Sequence, residues 1–308
     1  MDGTLSNIAG ICSTFGVKCF PCAYVSSGTP EDAADTAYEI SALIAVGNNN
    51  YPTTRGLVVG SESMLQGYSP QTLISNINYV RAATHTNVPV GTRDLPSNLI
   101  SNPGVVAASD FVMADIYAYW AQIPINDAAA WTIQQWQILT NDFPGKDVLV
   151  GEANWPTGGT NTQWSNPAIV PSMTNQGIFL SNFVGMANSN HIEYFVFEFR
   201  DEPWKVQENV GTVEQNWGII DTNNVKKQSL VDYLATGFSM EIHSDKTNRA
   251  QIAIQTYEGN RYSILGTTNL LGKLSTNFSF VGASGTNQTI VNVTNSGGQN
   301  FYKAMQNF

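Results

Sequence analysis

Two glutamates stand directly after short apolar runs. Gly60-Ser61-Glu62 follows Leu57-Val58-Val59, and Gly151-Glu152 follows Val148-Leu149-Val150. Two carboxyl groups held about 5–5.5 Å apart across an anomeric carbon can cleave a glycosidic bond with retention. One attacks and forms a covalent glycosyl-enzyme; the other protonates the departing oxygen and then deprotonates the acceptor. Neighbouring carboxyl groups cannot both ionise cheaply, so one of the pair is expected to hold a proton. Either glutamate alone reads as an ordinary solvated loop acid. The repeated strand-end placement is what points to chemistry.

The other reactive residue types give weaker signals. Cys19-x-x-Cys22 has the spacing of a metal or redox pair. On a strand, however, residues three apart face opposite sides, and neither a second pair nor a nearby histidine completes a site. Cys12, Cys19 and Cys22 are read as buried thiols or one disulfide. His85, His191 and His243 stand alone in the sequence.

Alternating elements must position the glutamates. Thr29-Pro30-Glu31-Asp32 is a helix start, with a capping hydroxyl, proline in the first turn and acids at the positive dipole end; this helix is expected to reach about Val46. Ser69-Pro70 opens a second helix to about Thr84. Further helices are expected through Ala130–Leu139, near Asn175–Ala187 and over about Lys226–Leu234. Strands are expected at Val17–Cys22, Leu57–Val59, from Val88, at Phe111–Ala114, Val148–Val150 and Tyr194–Phe197. Six strand–helix units imply a parallel sheet flanked by helices, open or closed as a barrel. No glycine-rich phosphate loop follows any strand. In a barrel, the residues just after strand C-termini build the active site. Glu62, Asp94, Tyr117, Glu152 and Glu198 all fall there, which favours the barrel. From about Gly237 helical periodicity is absent and Ile252 and Ile254 alternate with polar neighbours. The reading is therefore a catalytic (β/α) barrel over residues 1–236 and a β-rich appendage over 237–308.

Composition narrows the partners. The 308 residues carry 24 acidic and 14 basic side chains, a net charge of −10, with only 12% charged and 11% aromatic residues. That balance argues against nucleic acid, which requires a basic surface, and against an anionic membrane surface. No run of about 18 apolar residues spans a bilayer. Met1-Asp2-Gly3-Thr4 has no signal-peptide pattern. The sequons at Asn277, Asn287 and Asn292 lead to the expectation of a secreted or cell-wall location.

Six segments occur in a telling order: Val59-Gly-Ser-Glu-Ser63, Ala108-Ser-Asp-Phe-Val-Met-Ala-Asp115, Tyr117-Ala-Tyr-Trp120, Val150-Gly-Glu-Ala-Asn-Trp-Pro-Thr-Gly158, Phe197-Glu-Phe-Arg-Asp-Glu-Pro-Trp-Lys205 and Val213-Glu-Gln-Asn-Trp-Gly218. Together they closely resemble glycoside hydrolase family 17, in its fungal cell-wall β-1,3-glucanosyltransferase and glucanase branch, over about residues 5–236. The resemblance implies a (β/α)8-type TIM barrel, β-1,3-glucan as substrate and no cofactor. By position, Glu62 matches the acid/base and Glu152 the nucleophile. Asp115 and Tyr117 match residues lining the pocket beside the nucleophile, and Glu202, Lys205 and Glu214 match an ionic group near the site. Tyr119, Trp120 and Trp155 suit stacking on sugar faces, Trp155 most of all because it follows the nucleophile by three residues.

The chain departs from the family pattern in places. Ser61 stands where the wider clan has Asn, Ala153-Asn154 replaces a Thr-Gly pair, and Phe199-Arg200 replaces Ala-Phe, placing a cation near the expected subsites. The family's first strand, first helix and second strand have no counterpart before Leu5. The expected barrel is short by those elements. The resemblance implies transfer between glucan chains, with hydrolysis by water and glucan binding without turnover as the rival readings.

Overall fold

Capping chemistry sets the first long helices. Thr29 accepts the Asp32 N–H while Asp32 accepts the Thr29 N–H, a reciprocal box that satisfies two orphan donors of helix Pro30–Asn48. Ser69 accepts the Thr72 N–H and Pro70 takes the first turn of helix Pro70–Ala83. The computed structural model describes residues 7–49, 51–208 and 210–230, together with six strands between 240 and 307.

The described chain divides into two compact units. Met1–Ile116 with Gln134–Ala153 form the first, and Tyr117–Ile133 with Asn154–Phe308 the second. The described elements run, in order, α1 (Ile8–Phe15), β1 (Cys22–Ala23), α2 (Pro30–Asn48), β2 (Leu57–Ser61), α3 (Pro70–Ala83), β3 (Val90–Asp94), α4 (Pro96–Ser101), α5 (Pro103–Ala108), β4 (Phe111–Asp115), α6 (Ile125–Asp142), β5 (Asp147–Ala153), α7 (Met173–Ser189) and β6 (Tyr194–Val196).

In the first unit β1 to β5 pair in parallel and in sequence order, the (β/α) pattern expected from the alternation. Val58 stands opposite Cys22, Thr92 opposite Val112, and Asp115 opposite Glu152 after a register shift past Ala114. One face of this sheet packs Leu57, Val59 and Val90 against Leu43, Leu73, Ile77 and Val80 of α2 and α3. The other packs Val58, Phe111, Met113 and Leu149 with Phe20 and Cys22. Each fully buried aliphatic chain contributes about 1.5–3 kcal/mol. Burial in that second cluster pushes the Cys22 thiol up to about 12, so it is an inert core group.

Several expected bounds move. The first strand shortens from Val17–Cys22 to Cys22–Ala23, with one isolated bridge between Cys19 and Thr54. Pro21 explains part of this: its carbonyl accepts the Val58 N–H, but it has no N–H to return to a ladder. Helices α1, α4 and α5 were not anticipated. In the second unit, α7 and β6 match the expected elements closely, and residues 228–230 are helical where the last helix was expected. Residues 231–234 and the turn Glu258–Asn260 lie outside the described residues. The remaining strands are β7 (Met240–Ser244), β8 (Arg249–Gln255), β9 (Arg261–Thr267), β10 (Ser275–Val281), β11 (Gln288–Thr294) and β12 (Phe301–Asn307). They make two three-stranded antiparallel sheets, β10-β9-β12 and β11-β8-β7.

Candidate functional site

Glu62 is carried on an unusual turn at the end of β2. Its φ is 49°, in the left-handed region that non-glycine residues rarely occupy. Gly60 precedes it at φ 86°, and a Cβ there would lie 2.5 Å from Ser63 Oγ, so only glycine fits. The Glu62 N–H donates to the Arg93 carbonyl at 3.1 Å. Asp94, wholly buried, accepts from the Met64 N–H at 2.8 Å, the Leu95 N–H at 2.8 Å and Asn98 Nδ2 at 2.6 Å. The strand-end position of Asp94 thus serves to brace the Glu62 turn. Strain at one residue, fixed by bonds on both sides, is how an active-site side chain is held off the default backbone path.

Glu152 sits near the end of β5, buried, with a cation against it. Arg93 Nη2 contacts Glu152 Oε1, and Arg93 Nε lies 3.1 Å from Asp115 Oδ2. The Arg93–Asp115 approach is an ion-pair contact without aligned hydrogen-bond geometry. Close backbone passage makes the cluster possible: a Cβ on Gly151 would lie 2.4 Å from Asp115 Oδ1. One guanidinium facing two carboxyl groups neutralises one of them. Burial first, then repulsion from Glu152, pushes Asp115 well above the usual carboxylate range, with Arg93 opposing. Expected as a pocket-lining residue, Asp115 is instead completely buried, opposite Glu152 on the neighbouring strand.

The second unit holds an aromatic cluster. Tyr117 meets Phe197 and Trp217 edge-on at 5.7 and 5.1 Å, and Tyr119 meets Trp120, Trp155 and Trp164 at 5.1, 5.4 and 5.1 Å. Trp155 is 0% exposed and its Nε1 donates to the Val170 carbonyl at 2.9 Å. Tyr119 is equally buried, its hydroxyl accepting from Asn161 Nδ2 at 3.4 Å. The expected stacking role is corrected for both: a ring with no accessible face cannot bind sugar, and these two are core. Trp120 and Tyr117 remain partly exposed. The buried Trp217 indole N–H has no acceptor among the described residues.

The ionic group takes a clear form. Lys205, itself buried, reaches Glu198 at 3.2 Å and Glu202 at 3.1 Å and lies 4.2 Å over the Phe197 ring. This is an enclosed network, not a surface pair. Burial first, then Glu202, raises Glu198 to about 8 against the pull of Lys205. Burial alone would lower Lys205, but Glu198 and Glu202 outweigh it and hold its proton more tightly. Glu214 is buried on the 3-10 turn Val213–Asn216. Arg200, expected near the subsites, is exposed and donates to the Thr222 carbonyl.

A second buried pair ties the sequence motifs together. Lys227 reaches Asp201 at 2.6 Å and donates to Thr157 Oγ1 at 2.6 Å, while Asp201 Oδ1 accepts the Gly218 N–H at 3.0 Å. Gly218 is obligatory, since a Cβ would lie 2.2 Å from the Asp201 nitrogen. Arg93 and the Lys227 contact escaped the sequence reading, and Trp217 entered it only as part of a motif, with no role given. Arg93 left a signal there, as a charge in a strand of a chain poor in charge.

Comparisons with known proteins agree with this architecture. The family model described as "BtgE/BtgC glycoside hydrolase domain" matches residues 1–218. The Aspergillus niger protein named "Putative glucan endo-1,3-beta-glucosidase btgC" is 36% identical over 211 residues, covering 61% of this chain and 30% of its own. The chain thus spans under a third of that relative. "Glucan 1,3-beta-glucosidase" of Saccharomyces cerevisiae is 30% identical over 198 residues, covering 58% of this chain and 62% of its own. Among solved structures, a Rhizomucor miehei family 17 β-1,3-glucanosyltransferase superposes with TM-score 0.63 at 24% identity, over 73% of this chain and 80% of its own. An active-site mutant of that enzyme, in complex with laminaritriose, superposes at 0.62. At that identity the likeness establishes the (β/α)-barrel fold.

Proposed function

The chain belongs to the BtgE/BtgC glycoside hydrolase domain family, and from that premise we propose that it is a retaining β-1,3-glucan-active enzyme that transfers glucan between chains. Glu152 attacks the anomeric carbon of a β-1,3-linked glucose while Glu62 protonates the leaving chain. A second glucan, deprotonated by Glu62, then takes the sugar from the Glu152 ester. The single observation carrying this reading is the Arg93–Glu152–Asp115 cluster. A nucleophilic carboxylate needs its charge supported and its orientation fixed, and Arg93 supplies both. Secretion to the cell wall fits a polymer substrate and belongs to the same proposal.

The fate of the ester depends on the acceptor. An acceptor sugar held in place gains effective concentration over water. Incubation with a laminari-oligosaccharide of defined length should give products longer than the starting sugar, increasingly so at high substrate concentration. Shorter fragments alone would make the chain an endo-β-1,3-glucanase, as the relatives' names have it. No products at any concentration would support glucan binding without turnover.

A further inference from the structure

The first unit contains a cavity of about 540 Å³ on the side of the sheet covered by α2 and α3. Its walls are the segment Ser26–Thr29 after β1, the residues Tyr68 and Ser69, and the facing sides of the two helices. None of its fourteen lining residues is charged; hydroxyls, one amide and two tyrosines alternate with the apolar Ala33, Ala37 and Ile40. Asn76 Nδ2 donates to the Tyr68 hydroxyl at 2.8 Å, which fixes that phenol at the wall. Tyr79 is 59% exposed and offers an open ring face.

We propose that this cavity is a secondary binding site for a neutral oligosaccharide, holding a distant part of the same glucan chain that the glutamates process. The chemistry of the lining selects the ligand class. A phosphate or a peptide carboxylate would need a cation, and a purely apolar ligand would leave the lining hydroxyls of Ser27 and Thr72 desolvated. A sugar presents hydroxyls to such groups and an apolar face to a tyrosine ring. The size lies within the 300–1,000 Å³ range of small-molecule pockets. The wall is also continuous with the turn bearing Glu62: the Tyr68 N–H donates to the Ser63 carbonyl at 2.8 Å, and the Gln66 N–H to the Glu62 carbonyl at 3.1 Å. A chain anchored there raises the local concentration of its remainder at the catalytic turn. The identity of the sugar as β-1,3-glucan rests on the function proposed above.

The test titrates laminarihexaose into the Glu152→Gln chain by calorimetry and by backbone NMR, so that the ligand survives. Two saturable sites are expected. Adding Tyr79→Ala, which removes the exposed ring, or Ala37→Arg, which fills the groove from an exposed helix position, should weaken one site at least tenfold and spare the other. With Glu152 restored, each substitution should lower the ratio of kcat/KM for polymeric laminarin over laminaritetraose several-fold. A single site, or two sites indifferent to both substitutions, would overturn the proposal. A wild-type chain that turns over no glucan yet shows Tyr79-dependent binding would refute the catalytic reading and support this one. Normal turnover without Tyr79-dependent binding would do the reverse.

Discussion

Replacing Arg93 by Met removes the guanidinium that the structure places on both Asp115 and Glu152, while keeping an unbranched chain. The Arg93 side chain is 22% exposed and those of its partners 0% and 10%, so the pair is largely shielded from water. Breaking a buried pair by deleting one member costs about 3–5 kcal/mol; the partial exposure of Arg93 brings the expectation to about 2–4 kcal/mol. Part of this appears as lost stability in a denaturant melt. The rest appears as a harder ionisation of the Asp115 carboxyl beside Glu152, because the cation that opposes its protonation is gone. The acidic limb of the kcat/KM profile should therefore move to higher pH by about 1–2 units, at about 1.4 kcal/mol per unit, and Arg93→Lys should recover part of the shift. The assay is a pH-rate series with laminarihexaose. An unmoved limb, or a variant more active than the parent, would refute the reasoning and identify Arg93 as a plug on Glu152.

Other expectations follow from burial and titration. Trp155→Ala should lower stability by about 3–5 kcal/mol, the cost of emptying a large buried site, whereas Trp120→Ala should weaken laminari-oligosaccharide binding by about 1 kcal/mol, roughly fivefold, with little change in the melt. Melts and calorimetric titrations of both variants separate the two. Glu198, raised from 4.5 to about 8, keeps a proton in the folded chain at pH values where the unfolded chain has lost it. Its contribution to stability is therefore most favourable below about 4.5 and declines as pH rises through about 8. The Tm of Glu198→Gln relative to the parent should rise across that window, and a constant difference would contradict the assignment.

Much of the architecture was legible because it is written in local chemistry. Thr29-Pro30-Glu31-Asp32 and Ser69-Pro70 are helix starts in any context, and Leu57–Val59 and Val148–Val150 are apolar runs too short for helices. Both glutamates could be located for the same reason, since a strand end is a local property. What escaped depends on register and distance. Arg93 acquires meaning only when β3, β4 and β5 pair so that Asp115 faces Glu152; read alone, it is a charge near a strand end. Trp155 was misassigned because nearness in sequence to Glu152 suggested nearness to the sugar. Its burial is set by Tyr119, thirty-six residues earlier, and by the Val170 carbonyl. Lys227 became a buried partner only through Asp201 and Thr157, each far from it along the chain.

The central claim is that Glu152 forms a covalent bond to the sugar. A 2-deoxy-2-fluoro laminaribiosyl fluoride slows the breakdown of such an ester more than its formation, so the intermediate accumulates. Proteolysis and mass spectrometry of the treated chain should find one fluoro-laminaribiosyl group, located on Glu152, and absent from Glu152→Gln. No adduct under conditions where the chain turns over glucan, or an adduct on another carboxylate such as Asp115 or Glu198, would contradict the account.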